Sequence, residues 1–189
     1  MSDAPRVEVA STDALWAWLA IHHTRDSAVW LVTWKKSDAD RYVGRDDVLD
    51  ALVAFGWIDG RRMKLDEART MQLIAPRRQQ AWAQSYKKRA ARLIDEGRMQ
   101  PAGKASIEAG KASGLWEFYA DVDALRIPED LAKALALRPP AAAQFSGFAP
   151  SAKRNILRWI KIAKTEATRT KRIAEVARLA ADGRTPPHM

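Results

Sequence analysis

Ala28-Val-Trp-Leu-Val-Thr-Trp34 decides the fold class of this 189-residue chain. The stretch is rich in β-branched and aromatic residues, which is strand composition rather than helix composition. Trp30, Val32 and Trp34 share one side, and Val29, Leu31 and Thr33 share the other. Apolar character on both sides predicts a central strand covered on both faces, closed by Lys35 and Lys36.

Upstream, Ser11 or Thr12 can cap a helix whose apolar face is Leu15, Trp18, Leu19 and His22, and Thr24–Ser27 forms a turn. Downstream, residues 37–44 are loop-like. Asp46–Phe55 then carries Val48, Leu49, Leu52 and Val53 at helical spacing, with Gly56 where a left-handed cap belongs. Trp57–Leu65 predicts a strand bent or bulged at Gly60, although Asp59-Gly60 is also a favoured hairpin pair. Asp66-Glu67 turns into a second strand, Arg69–Ile74, ended by Pro76-Arg77-Arg78.

From residue 81 the pattern is helical. Tyr86–Glu96 is stopped by Gly97, Pro101–Ser113 is followed by Gly114, and Leu115–Val122 is a connector between two modules. Pro128-Glu129-Asp130 and Pro139-Pro140 open further helices. Ser151 can cap Ala152–Ala163, and a last helix runs from about Ala167 to Ala181. The prediction is an α+β chain: a small, mainly antiparallel sheet with flanking helices over residues 9–120, then a helical module over 125–184. Residues 1–8 and 184–189 read as disordered tails.

Composition excludes several function classes. There is no cysteine, so neither a disulfide framework nor thiolate chemistry is available. His22, His23 and His188 are poorly placed to hold zinc, so no metal or cofactor is expected. The longest apolar runs fall short of the ~20 residues a membrane helix needs. Met1–Arg6 lacks the basic-then-apolar layout of a signal peptide, and the expectation is a cytoplasmic protein without membrane insertion. The formal net charge of +9 is unevenly spread. Residues 1–80 carry 12 Lys+Arg against 12 Asp+Glu, whereas residues 151–184 carry 10 against 3.

Motifs for familiar chemistry are missing. Gly97–Ala105 has five residues between its glycines and no hydroxyl after Lys104, so it is a helix–helix turn and not a phosphate loop. His22-His23 has no serine or carboxylate tied to it by spacing and reads as a helix-end contact with the last carbonyls. Most of the 8 tryptophans belong to a core. Trp57 and Trp82 stand apart because each adjoins arginines: Asp59-Gly-Arg61-Arg62 comes after the first, and Arg77-Arg78 precedes the second. Guanidinium forks grip phosphate or carboxylate and stack on aromatic faces. Trp57, Asp59, Arg61, Arg77, Arg78 and Trp82 are therefore the candidate site for a small anionic or aromatic ligand, with a solvated charged face as the bland alternative. An enzyme using Asp59 as acid or base ranks last, since no catalytic partner can be named. Nucleic acid is the alternative partner, through the basic helix faces bearing Lys153, Arg154, Arg158, Lys161, Arg169, Lys171 and Arg172.

Several strings in the chain carry a family resemblance. They are Val29-Trp-Leu-Val-Thr-Trp-Lys-Lys36, Phe55-Gly-Trp-Ile-Asp-Gly60, Pro76-Arg-Arg78 with Trp82, Leu93-Ile-Asp-Glu-Gly-Arg-Met99, and Pro150-Ser-Ala-Lys-Arg154 with Arg158-Trp-Ile160. Together they resemble the bacterial YdeI-like, OmpD-associated bacteriocin-protection proteins over nearly the whole chain. The resemblance implies an N-terminal α+β region and a helical C-terminal module, and the family's name suggests protection against bacteriocins and association with an outer-membrane porin. The function expected of this chain is that of a non-enzymatic cytoplasmic binding or stress-protection protein. The resemblance also implies a departure: where the family pattern places Ser and Asn one and four residues after the tryptophan, this chain has Ala83 and Tyr86.

Overall fold

The computed structural model describes residues 4–186. The chain divides at the Glu117/Phe118 junction into two compact units.

The first unit runs β1 (Arg6–Glu8), α1 (Thr12–His22), β2 (Val29–Trp34), α2 (Arg45–Ala54), β3 (Trp57–Lys64), β4 (Arg69–Pro76), α3 (Gln84–Asp95) and α4 (Pro101–Ala112). Its four strands form one mixed sheet in the order β1-β2-β4-β3, with β1 parallel to β2 and the other two pairings antiparallel. β2 is an interior strand, and Val29 to Thr33 are all buried. Arg6–Glu8 pairs with Trp30–Val32, which corrects the reading of residues 1–8 as a disordered tail. Three residues carry no strand signal of their own, and the parallel partner supplies the hydrogen bonds that hold them extended. Residues 1–3 and 187–189, including His188, lie outside the described residues.

One sheet face presents Val29, Leu31, Trp57 and Ile74 to a core completed by Leu15, Leu52 and other helix side chains. The other face holds a smaller cluster of Trp30, Val32 and Met71. α1 is capped as expected, the Ser11 hydroxyl accepting from the Ala14 amide at 3.1 Å. At the end of α2, Gly56 has φ +72°, and a Cβ there would come within 2.8 Å of the Ala102 carbonyl oxygen. A left-handed turn and a close neighbour together require glycine.

β3 and β4 form the hairpin, and its turn is at Leu65–Ala68 rather than at Asp59-Gly60. The pairing passes from Asp59↔Ile74 to Arg62↔Gln72, so two residues of β3 oppose one of β4. This is a β-bulge at Gly60-Arg61. Because the pleat alternates, the extra residue keeps Asp59 and Arg62 on the core-side face and puts Arg61 on the other.

The second unit is helical: α5 (Ala120–Asp123), α6 (Glu129–Ala136), α7 (Ala141–Gly147), α8 (Pro150–Lys161) and α9 (Glu166–Ala181). Leu131, Leu135, Phe145, Ile156, Ile160 and Val176 form its core. α8 begins at Pro150, two residues earlier than Ser151 capping requires. Pro150 occupies its first turn, and no side chain caps it. α9 is capped by Thr165, which accepts from the Thr168 amide at 3.2 Å. Among the described residues, no helix is long and apolar enough to cross a membrane.

Candidate functional site

The loop from β4 to α3 folds around the side chain of Arg77. Its Nη1 donates to the carbonyls of Gln80 and Ala81 at 3.1 and 3.4 Å. Its guanidinium carbon lies 4.1 Å from the Trp82 ring centroid and 4.8 Å from that of Tyr86. The cation is thus held against two aromatic faces, an arrangement favoured by the ring quadrupoles. Only 9% of the residue is exposed, and its Nη2 is buried with no hydrogen-bond partner. Burial pulls the Arg77 pKa down to about 10, against the opposing pull of Tyr86 and Asp59, so the side chain stays charged at neutral pH. A buried charge with an unpaired donor is costly in a fold, and an acceptor on a ligand or a water would relieve that cost.

Asp59 completes the cluster from the neighbouring strand. The Tyr86 hydroxyl donates to its Oδ1, and Gln72 Nε2 donates to its Oδ2 at 3.0 Å. Burial first, then the Asp59 contact, pushes the Tyr86 phenol well above its ordinary value. Tyr86 is therefore a fixed hydrogen-bond donor rather than an acid near neutrality. Trp82 is set from behind: its amide donates to the Leu115 carbonyl at 3.0 Å and its ring lies 5.0 Å from Trp116. A Cβ on Gly110 would sit 2.5 Å from Trp82 Nε1, so α4 supplies the one side-chain-free position that lets the indole lie flat.

Of the six residues expected to form the site, the structure brings Asp59, Arg77 and Trp82 together. Trp57 is fully buried, donates its Nε1 to the His23 carbonyl at 3.0 Å and packs edge-on to Trp18. It is a core residue with no ring face left for a ligand. The bulge carries Arg61 to the opposite sheet face, where its guanidinium lies 5.4 Å from the Trp30 ring. Arg78 is exposed and donates to the Asp26 carbonyl at 3.0 Å. Sequence reasoning does not find Tyr86 and Gln72 as site residues. Tyr86 is nonetheless visible as the departure from the family pattern, four residues after Trp82.

His23, not His22, makes the helix-end contact, its Nδ1 lying 3.1 Å from the carbonyl oxygens of Leu19 and Ala20. A second charged cluster lies between α2 and α3. Asp50, 5% exposed, accepts from Arg89 Nη1 and from Arg92 Nη2 at 2.6 Å, with Arg98 at 3.5 Å. Burial works to raise the Asp50 pKa, but the hydrogen bonds from Arg92 and Arg89 prevail and hold the carboxyl below its ordinary range.

In the helical unit, most of the basic residues expected to meet nucleic acid have internal partners. Lys153 donates to the Ser146 carbonyl at 2.6 Å. Lys161 pairs with Asp121 at 2.5 Å, and Arg169 pairs with Asp130 at 2.7 Å. Arg158 stacks on Tyr119 at 4.9 Å, and Arg172 reaches the Trp159 carbonyl while lying 5.0 Å from that ring. Arg154 is half-buried and Lys171 exposed.

Comparison with known proteins divides the chain in a similar way. Residues 7–106 match a family model described as a domain of unknown function, DUF8412. Residues 124–183 match the family described as bacteriocin-protection, YdeI or OmpD-associated. The likeness carried along nearly the whole sequence is thus matched by that family's model over the C-terminal part. No curated protein matches, and no solved structure does.

Proposed function

From the premise that the chain belongs to the DUF8412 family, whose model covers residues 7–106, we propose that it is a non-enzymatic binding protein acting in the cytoplasm in bacteriocin protection. Its ligand is a small anionic or aromatic molecule, received at the Arg77–Trp82–Tyr86 cluster. The protective role is drawn from the family matched by residues 124–183. The binding role is drawn from one observation, the unpartnered Nη2 of a guanidinium that is nine-tenths buried between two aromatic rings. A carboxylate or phosphate oxygen gives that donor a charge-assisted bond, and an aromatic body on the ligand extends the stack already begun by Trp82 and Tyr86.

Calorimetric titration with benzoate and phenyl phosphate tests this. Binding is expected to persist in Arg78→Ala and to weaken at least about tenfold in Arg77→Lys and Arg77→Met, since an ammonium lacks the planar fork. Unfolding curves of the same variants separate loss of the site from loss of the fold. Equal affinity in a folded Arg77→Met protein would overturn the proposal.

A further inference from the structure

The second unit carries an open groove of about 450 Å³ between α6 and α9. One wall is Asp130, Lys133, Ala134 and Leu137, a stripe at helical spacing along α6 and its C-cap. The other wall is a stripe of the same kind on α9, with Glu166 and Arg169 followed by Ile173 and Ala174. Each stripe is charged at the start of its helix and apolar toward the end. The Asp130–Arg169 pair, at 2.7 Å, joins the two charged starts, so the groove has a polar half and an apolar half. Leu137 ends the apolar half and is 83% exposed, more than any other large apolar side chain among the described residues. An exposed leucine beside an apolar groove puts a knob and a hole on one surface.

Charge says what fits there. Residues 118–189 carry 13 Lys+Arg against 7 Asp+Glu, yet the groove walls set two acids, Asp130 and Glu166, against two bases, Lys133 and Arg169. A wholly acidic or wholly basic partner would meet like charge on such a rim, whereas a surface with the same mixture can match it. Two of the four charges are free to exchange partners. Glu166 is exposed and joins no ion pair among the described residues. Lys133 pairs with Glu129 one turn back, their side chains 71% and 82% exposed, and so exposed a pair is worth little.

We infer that this groove is the interface between two copies of the chain, related by a two-fold axis running along it. Rotation about that axis sets α6 of each copy over α9 of the other and keeps helix starts beside helix starts. Leu137 enters the apolar half of the partner's groove, and Lys133 meets the partner's Glu166. Each contact occurs twice, as an isologous interface requires. An axis across the groove would instead lay charged starts on apolar ends. With a single groove from each copy in contact, the association is weak and reversible. The interface belongs to a different unit from the ligand site proposed above, and neither proposal depends on the other.

Sedimentation equilibrium of the full chain, from micromolar to millimolar protein, tests it. The expected result is reversible monomer–dimer exchange, with a dissociation constant raised at least about tenfold in Leu137→Glu. Lys133→Glu weakens the dimer by setting two acids against each other, and the double variant Lys133→Glu with Glu166→Lys restores it to within about threefold of wild type. All three positions are exposed, and far-ultraviolet dichroism checks that each variant is folded. A monomer at every concentration overturns the inference and leaves the groove to a different occupant. A dimer indifferent to Leu137→Glu has its interface elsewhere and overturns it as well. Assembly beyond the dimer, or a charge exchange that fails to restore pairing, overturns the two-fold arrangement.

Discussion

The two units treat positive charge in opposite ways. Residues 1–117 carry a small excess, 19 Lys+Arg against 16 Asp+Glu, yet the first unit draws guanidinium groups inward: Arg77 into an aromatic sandwich and Arg89 onto a buried carboxylate. The last helices carry most of the excess charge, yet spend much of it on partners at partly exposed positions, such as Asp121 and Asp130. A count of charges along the chain therefore does not show which cations keep an unpaired donor: Arg77 Nη2 in the first unit and Arg158 Nε in the second are both buried without a partner. Burial and the presence or absence of a partner decide which cation has bonding capacity left.

This contrast sets an order of sensitivity. Asp50→Ala in the first unit is expected to cost the most, about 2–4 kcal/mol in urea unfolding, because it strands guanidinium groups around a buried position. The figure lies toward the low side of a broken buried pair, since Arg92 and Arg98 can turn toward water. The Asp50 carboxyl is held below its ordinary range, so its contribution is fully present above the unfolded value of about 3.9 and is lost as pH falls through the folded value. The gap between wild type and Asp50→Asn is accordingly expected to be level from pH 5 to 8 and to close in acid. A gap that widened below pH 4 would contradict the burial account.

Gly110→Ala comes next, with a loss of about 1–3 kcal/mol from overpacking against Trp82. A changed near-ultraviolet dichroism signal should accompany it, and an unchanged signal with full stability would show that the indole has room to move. The smallest effect belongs to the second unit. Asp130→Ala removes the partner of Arg169, whose side chain is 31% exposed against 46% for Asp130, and should cost under about 1 kcal/mol. A loss as large as that of Asp50→Ala would erase the distinction between the units.

Much of the fold is legible in the sequence where the signal is local. The β2 stretch, the glycine after α2 and the irregularity at Gly60 each announce themselves within a few residues. β1 does not, because its conformation comes from a partner more than twenty residues away. The site is legible in half. Pro76-Arg77-Arg78 with Trp82 marks a cation beside an indole, but which arginine turns inward depends on the loop that wraps it. The Tyr86–Asp59 bond spans 27 residues and arises only once β3 and α3 are adjacent. Asp50 leaves a fainter trace: a lone carboxylate inside Val48-Leu-Asp-Ala-Leu-Val53 needs a buried cation.

The bulge at Gly60-Arg61 acts on the pleat as a frameshift acts on a message. Upstream of it, odd-numbered positions of β3 address the core. Downstream, even-numbered ones do. Asp59, Arg61 and Arg62 are neighbours in the chain and are delivered to two different addresses by one added residue. Straightening the bulge without shortening the chain would impose a single frame, so either the positions before it or those after it would have to exchange sides. Met63 and Arg62 would trade places, or Trp57 and Asp59 would leave the core-side face. Spacing in this hairpin is thus a form of information separate from residue identity, and the site depends on both.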